Sequence, residues 1–339
     1  LNATLEKSST ATKATAKTLT CSLSLDLDNK WSYLKTHGDA GWEKWPSYLH
    51  TVVPRVLKFL ADRNLTITWF VVGQDASMPE HRDVLRSLAD AGHEIGNHSF
   101  RHEPWLHLYP EAEIEAELAK AEEAIESATG VRPRGFRGPG FSLSETVLRV
   151  LKRRGYDYDC STFPTYLGPL ARAYYFMTAK LPKDEKAKRS KLFGTIGDGL
   201  RPLKSYDWHL GDDGTLLEIP VTTMPLFKVP IHLSYLLYLA KFSPFVARTY
   251  FRTALAMCRA TGTEPSILLH PLDFLGKDDD GDLSFFPAMD QPSERKLAWC
   301  GDFFAMLTRH FDCVPMGEHA KRLGEQKKPV RRLDFPKRA

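Results

Sequence analysis

LTITWFVVGQDASMPEHRDVLRSLADAGHEIGNHSFRH, residues 65–102, decides the architecture. Its opening, 65–72, is rich in β-branched and aromatic residues and reads as a strand buried on both faces. Residues 79–91 carry apolar side chains at helical spacing and stop at Gly92, a natural helix terminator. Residues 93–97 form a second short strand. One strand–helix–strand unit therefore delivers the polar sequence His98-Ser99-Phe100-Arg101-His102 to a strand end. Strands separated by helices imply a parallel sheet.

The same rhythm extends outward. Strands are expected at 19–27, 134–137, 156–162, 216–222, 266–270 and 311–315. Helices are expected at 46–64, 110–129, 144–154, 293–309 and, broken near Pro244, 233–261. The repetition predicts an α/β fold closed into a distorted (β/α)7-type barrel. Residues 164–213 break the rhythm with a basic run at 180–191 followed by glycines, and read as an insertion forming a lid or substrate loop. Residues 1–17 read as a disordered lead-in without a signal peptide, 18–318 as the domain, and 319–339 as a basic, flexible tail. There is no internal repeat.

The chain has 339 residues, of which 42% are hydrophobic and 26% charged, as in soluble globular proteins. Its net charge of +4 is mild, and the basic residues form no single stripe, which argues against a nucleic-acid partner. The five cysteines are widely spaced, odd in number and without a C-x-x-C pair, as fits a reducing, cytoplasmic compartment. Residues 229–240 are the most apolar stretch, too short to span a bilayer. They read as a core helix or as a segment lying on a membrane surface.

Four clusters fall at predicted strand ends, where barrel enzymes keep their chemistry. Asp26 and Asp28 share one side of a strand, and two close carboxylates need a cation or proton between them. His98 and His102 lie at i and i+4 and face the same way if a helical turn begins there. Arg137, in Arg-Gly-Pro-Gly-Phe, can orient a carboxylate through charge-assisted hydrogen bonds. His270, after an apolar strand, is placed for acid catalysis. Taken singly, each also reads as an ordinary turn, surface or core residue. Together they supply the parts for metal-assisted hydrolysis.

In motif order the chain resembles the polysaccharide deacetylase (NodB-homology) family over roughly 19–315, the 164–213 insertion excluded. Asp26-Leu27-Asp28 resembles the first motif of a D-x-D subgroup, His98–His102 the H-S/T-x-x-H motif, and Arg137-Gly-Pro139 the R-x-P motif. The sequence GYDYDCS at 155–161 resembles a motif ending in Tyr-Asp-Ser-Ser, with Cys160 substituted, and Leu269-His270 resembles the final Leu-His. The resemblance implies one divalent metal on Asp28, His98 and His102, zinc by default, with Co2+, Mn2+, Ni2+ or Fe2+ as alternatives. It implies Asp26 as general base oriented by Arg137, and His270 as general acid. Asp157 or Asp159 would support Arg137 or His270. The implied reaction removes an acetyl or formyl group from the nitrogen of a sugar or glycan. The aromatic, lysine-dotted stretch 227–251 extends this to a lipid-linked sugar met at a membrane surface. Three other classes use some of these parts: a carbohydrate-binding protein with a degenerate site, a non-haem iron enzyme with the same two-His-one-carboxylate triad, and a D-x-D glycosyltransferase, which leaves the histidines without a role.

Overall fold

The structure, a computed structural model, describes residues 18–168, 196–333 and residue 335. The sheet runs β10-β6-β7-β5-β4-β3-β2-β1-β8. The strands are β1 (Thr20–Leu27), β2 (Thr68–Val71), β3 (Glu94–Asn97), β4 (Gly135–Phe136), β5 (Tyr158–Asp159), β6 (Tyr206–His209), β7 (Thr215–Glu218), β8 (Ser266–Leu269), β9 (Asp312–Val314) and β10 (Val330–Arg332). All pairings are parallel except that of β6 with β7.

The hydrogen-bonded ladder itself is open, but an extended segment after β7 bridges it. The Val221 N–H donates to the Thr162 carbonyl and the Thr222 N–H to the Ser266 carbonyl, both at 2.9 Å. Ser266 N–H returns a bond to Thr222 Oγ1 at 2.8 Å. A ring of β1, β2, β3, β4, β5, segment 219–223 and β8 results, the arrangement of a distorted (β/α)7-type barrel.

Among the described residues, the helices that accompany the strands include α1 (Lys30–His37), α2 (Leu49–Ala61), α4 (Arg82–Asp90), α5 (Glu111–Thr129), α6 (Glu145–Arg153), α7 (Leu233–Phe242), α8 (Pro244–Thr261) and α9 (Ser293–His310); a short α3 (Gly73–Ala76) follows β2. The period of two in β1 sorts its side chains. Leu23, Leu25 and Leu27 join the core beneath the helices, while Ser22, Ser24 and Asp26 occupy the other face. The α7 helix buries Leu233, Leu236, Leu237 and Ala240, so the helical part of 229–240 is a core element. Ser243 caps α8 by accepting from the Val246 N–H, and Pro244 sits in its first turn, where its missing N–H costs nothing.

Two expected boundaries change. The segment read as a tail from 319 begins inside a helix, α10 (Met316–Gly324). Met316, Ala320 and Leu323 line one side of this helix and pack with Phe70, Tyr158, Cys160, Leu217 and Ile219. The Met316 N–H donates to Thr68 Oγ1 and the Gly317 N–H to Glu94 Oε2, both at 2.7 Å. His319 Nδ1 lies 3.0 Å from Ser22 Oγ. This helix closes the end of the ring where the strands begin, and three apolar residues among charges concealed it. Further on, β10 pairs with β6. The span 164–213 likewise ends in the sheet, since β6 forms an antiparallel pair with β7. The lead-in 1–17 and the basic run 180–191 lie outside the described residues.

If α10 is the stopper of the barrel, Met316→Ala removes a fully buried side chain from it. The expected loss is about 2–5 kcal/mol of unfolding free energy, measured by urea titration; a loss within error of zero would contradict this packing.

Candidate metal centre

Asp26 is the penultimate residue of β1 and Asp28 follows its end. Both are buried, at 6% and 8% exposure. Asn29 caps α1 by accepting from the Lys30 N–H, which turns the chain sharply after Asp28. The Tyr48 hydroxyl donates to the Asp28 carbonyl.

The histidines arrive on β3. The His98 N–H donates to the Val71 carbonyl at 2.9 Å, continuing the ladder by one residue. The helical turn expected over 98–102 does not form. Ser99 and His102 both have left-handed backbone, at φ 60° and 52°. Asn97 Oδ1 accepts from the Ser99 N–H at 2.8 Å and Ser99 Oγ from the His102 N–H at 3.2 Å. The loop is pinned to α3 by the Gly73 and Gln74 N–H groups, which donate to the Ser99 and Phe100 carbonyls. The two imidazoles thus converge through a looped backbone, with ring centroids 5.0 Å apart.

Asp28 Oδ1 lies 3.3 Å from His98 Nε2 and 2.9 Å from His102 Nε2. The His98 Nδ1 donates to the Arg137 carbonyl at 2.7 Å, leaving Nε2 with its lone pair. Despite these neighbours, buried Asp28 Oδ1 has no hydrogen-bond partner of suitable geometry. One atom from each residue lies within 4.8 Å of the others, and this is the one such acid–histidine cluster among the described residues. Ligands of a tetrahedral zinc site with bonds of about 2.0–2.1 Å sit about 3.3 Å apart. The donor set and the orphaned oxygen fit a divalent cation. Burial pushes the Asp28 carboxyl up, but His102 and His98 outweigh it and hold it well below the usual carboxylate range.

Arg137 follows β4 and is fully buried. Its Nη1 donates to Asp26 Oδ1 at 2.9 Å and Ser24 Oγ at 3.0 Å, and its Nε to the Cys160 carbonyl at 3.2 Å. The guanidinium lies 4.8 Å from the Phe70 ring centroid. The second oxygen, Asp26 Oδ2, is 4.0 Å from His98 Nε2. The turn after Arg137 requires glycine, since a Cβ on Gly138 would meet the Ser142 carbonyl oxygen at 2.2 Å.

Asp157 is not at the site; it pairs with Arg134 at 2.8 Å on the surface, because it falls before the inward-facing part of β5. Asp159 is buried but touches neither Arg137 nor His270 through a hydrogen bond. It accepts from Ser161 Oγ at 2.6 Å, and Ser161 Oγ accepts from the Gly138 N–H at 2.8 Å. Through Ser161 it is linked to the turn that follows Arg137.

The register pairs Leu25 with Leu269, so Asp26 and His270 are the next residues on adjacent strands. The His270 N–H donates to Asp273 Oδ2 at 2.8 Å, and its Nδ1 lies 3.0 Å from Ser234 Oγ. His232 stands 6.4 Å away, ring to ring. Burial, with His270 nearby, lowers its pKa to about 3 and keeps it neutral. Sequence reasoning missed Ser234 and His232, which sit in an apolar stretch with no polar pattern. Asp273 was readable, since a carboxylate three residues after a strand-end residue is a capping signal.

Behind His102 lies a second missed group. Trp31 packs edge-on against His102, and its Nε1 donates to Asp75 Oδ1 at 2.9 Å. Asn29 Nδ2 donates to the same oxygen at 2.8 Å. Burial raises the Asp75 pKa to about 7 despite these bonds.

The fold and site define an α/β barrel protein with a candidate metal centre at the C-terminal ends of its strands. Residues 38–158 match the family Polysaccharide deacetylase. The chain is 32% identical over 109 residues to a peptidoglycan deacetylase of Helicobacter pylori, covering 32% of this chain and 36% of that one. It is 34% identical over 111 residues to the peptidoglycan-N-acetylmuramic acid deacetylase PdaA of Bacillus subtilis, covering 32% and 41%. The matched stretch therefore spans well under half of either relative. A crystal structure of a Mycobacterium smegmatis protein described as a polysaccharide deacetylase shares the fold, with a TM-score of 0.62 at 22% identity over 94% of this chain and 96% of that one. Residues 38–158 are thus similar to the polysaccharide deacetylase family, and the chain shares the fold of that Mycobacterium smegmatis structure. The matched span holds His98, His102 and Arg137; Asp26, Asp28 and His270 lie outside it and reach the same place through the strand register.

Asp75 gives a pH test in metal-free protein. Its folded pKa lies above the usual carboxylate range, so the folded chain binds this proton more tightly. The stability it contributes is complete below about pH 4 and is lost as pH rises through about 7. Asp75→Asn keeps an acceptor for Asn29 and Trp31 and cannot ionise. It is expected to exceed wild type in stability at pH 8 by up to about 4 kcal/mol, with the gap closing toward pH 4. Parallel stability–pH curves for the two proteins would refute the assignment.

Proposed function

We propose that this protein hydrolyses the N-acetyl amide of a sugar within a glycan of the peptidoglycan or chitin type, using a divalent metal. The observation that carries the reading is the convergence of the Asp28–His98–His102 donor set with an Arg-held carboxylate and a strand-end histidine. Relatives named as peptidoglycan and chitin deacetylases support the substrate class and favour acetyl over formyl. A non-haem iron reading accounts for the triad alone and leaves Asp26, Arg137 and His270 unused.

Asp28, His98 and His102 would hold the ion, zinc by preference, with Co2+, Mn2+, Ni2+ or Fe2+ as alternatives. When bound, it supplies Lewis acidity at the acyl group. Asp26 has Oδ1 tied to Arg137, which leaves Oδ2 to take the proton of the attacking water. Arg137 fixes the direction of that oxygen. His270 engages Ser234 through Nδ1, so Nε2 is the atom that would deliver a proton to the departing sugar amine. Without that proton the amine is a poor leaving group. Phe163, stacked on Phe141 at 4.9 Å and against His232, provides an apolar wall on this side.

Peripheral contact with a lipid surface, and with it a lipid-linked sugar, is the finer form of the proposal. Leu226, Phe242 and Phe245 are 78%, 68% and 75% exposed, a pattern suited to an interface. Among the described residues no helix is long and apolar enough to cross a membrane. The free cysteines support a reducing, cytoplasmic setting.

Metal-replete protein should release acetate and free amine from N-acetylglucosamine oligomers. Asp26→Asn and His270→Ala should each lower kcat by about 10²–10⁴-fold while leaving bound metal unchanged. Glycan binding without turnover in wild type would favour the degenerate binding protein. Co-sedimentation with anionic vesicles at low salt checks the lipid contact: Phe242→Ser/Phe245→Ser should reduce it, and no binding by wild type dismisses it.

A further inference from the structure

At the end of β1 opposite the metal centre, β9 pairs with it in parallel, and the register sets Cys21 beside Cys313. Directly paired residues on neighbouring strands point to the same face. Strands lie about 4.7–4.9 Å apart, within the roughly 4.4–6.8 Å Cα separation of disulfides. Both thiols are free. Cys21 is fully buried in the core beneath the helices, and Cys313 packs on that core while staying partly exposed. Burial raises the Cys21 thiol, and neighbouring Cys313 and Cys258 raise it further, in keeping with their closeness.

The setting leaves room for adjustment. β9 has three residues and pairs, among the described residues, with β1 alone. Cys258 belongs to α8 and shares no register with Cys21, so its backbone is not placed for the same bond.

We propose that Cys21 and Cys313 form a dithiol–disulfide pair, oxidised by a low-molecular-weight disulfide such as oxidised glutathione. The accessible Cys313 thiolate attacks one glutathione sulfur; the glutathione S–S bond breaks and one glutathione thiolate leaves. The Cys21 thiolate then attacks Cys313 Sγ, the mixed disulfide breaks and the second glutathione leaves. Two protein thiols are oxidised, one glutathione disulfide is reduced to two thiols, and the protons lost by the cysteines pass to the leaving thiolates. The bond ties β9, and α10 directly after it, to the strand that carries Asp26 and leads into Asp28. It leaves the site itself untouched.

The test treats the full metal-replete chain with oxidised glutathione, quenches in acid, alkylates, and maps peptides without reduction. The expected product links the Cys21 and Cys313 peptides with loss of two hydrogens. Its Tm rises by several degrees and returns on adding dithiothreitol, with metal content unchanged. Cys313→Ser, at a partly exposed position, should fold with a wild-type circular dichroism spectrum and show no such shift, while Cys258→Ser should behave as wild type. Three results would overturn the proposal: a persistent glutathione adduct on Cys313, a Cys21–Cys258 link, or no oxidation of the folded chain when the guanidinium-unfolded chain is oxidised readily.

Discussion

Arg137 holds a full positive charge in the interior of the barrel at 0% exposure. A buried charge is tolerated only where its partners are close and well aimed, and those partners define the site. Asp26 neutralises the guanidinium, Ser24 and the Cys160 carbonyl take further hydrogens, and the Phe70 face covers it. Through its own carbonyl Arg137 fixes the His98 ring by Nδ1. One residue therefore couples β1, β2, β4, β5 and the loop after β3. It sets the orientation of the carboxylate proposed as base and the tautomer of a proposed metal ligand.

Three lone pairs that converge in a buried place repel unless a proton or cation lies among them. The fold accepts that cost because the backbone is committed elsewhere. Asp28 is held by the turn into α1, His98 by the ladder from β2, and His102 by a loop pinned at Ser99 and Phe100. The site is thus preorganised by main-chain bonds rather than by the ligands themselves. At the other end of the ring α10 fills the opening, so movement of β1 is restrained at both ends.

Most of the architecture was legible because its signals are periodic. The alternation in 19–27 and the run 65–72 could be strands of a buried parallel sheet, and Gly92, Gly130 and Gly155 marked helix ends. What escaped were elements whose pattern is short or overlaid by charge. α10 shows only Met316, Ala320 and Leu323 among basic and acidic neighbours, and β10 is three residues of a basic segment. At the site, the residues gathered at strand ends were found by type and spacing, and the structure brings Asp26, Asp28, His98, His102 and Arg137 together as contacts, with His270 on the adjoining strand. The route differed: spacing at i and i+4 suggested a helix, whereas Ser99 and His102 adopt left-handed backbone that spacing does not announce. Asp157 and Asp159, two residues apart, separated because Asp157 precedes β5 and pairs with Arg134 on the surface, whereas Asp159 lies within the strand and is buried. Ser234 and His232 had no readable signal, since their role arises only from the packing of α7 beside β8.

The central claim is that Asp28, His98 and His102 hold one divalent ion. Elemental analysis of the purified chain, beside Asp28→Ala and His98→Ala, tests it most directly. The account predicts about one ion per wild-type chain and its loss from both variants, with folding retained by circular dichroism. Metal content unchanged in the variants, or a folded wild type that binds none when supplied with zinc, cobalt or manganese, would contradict it.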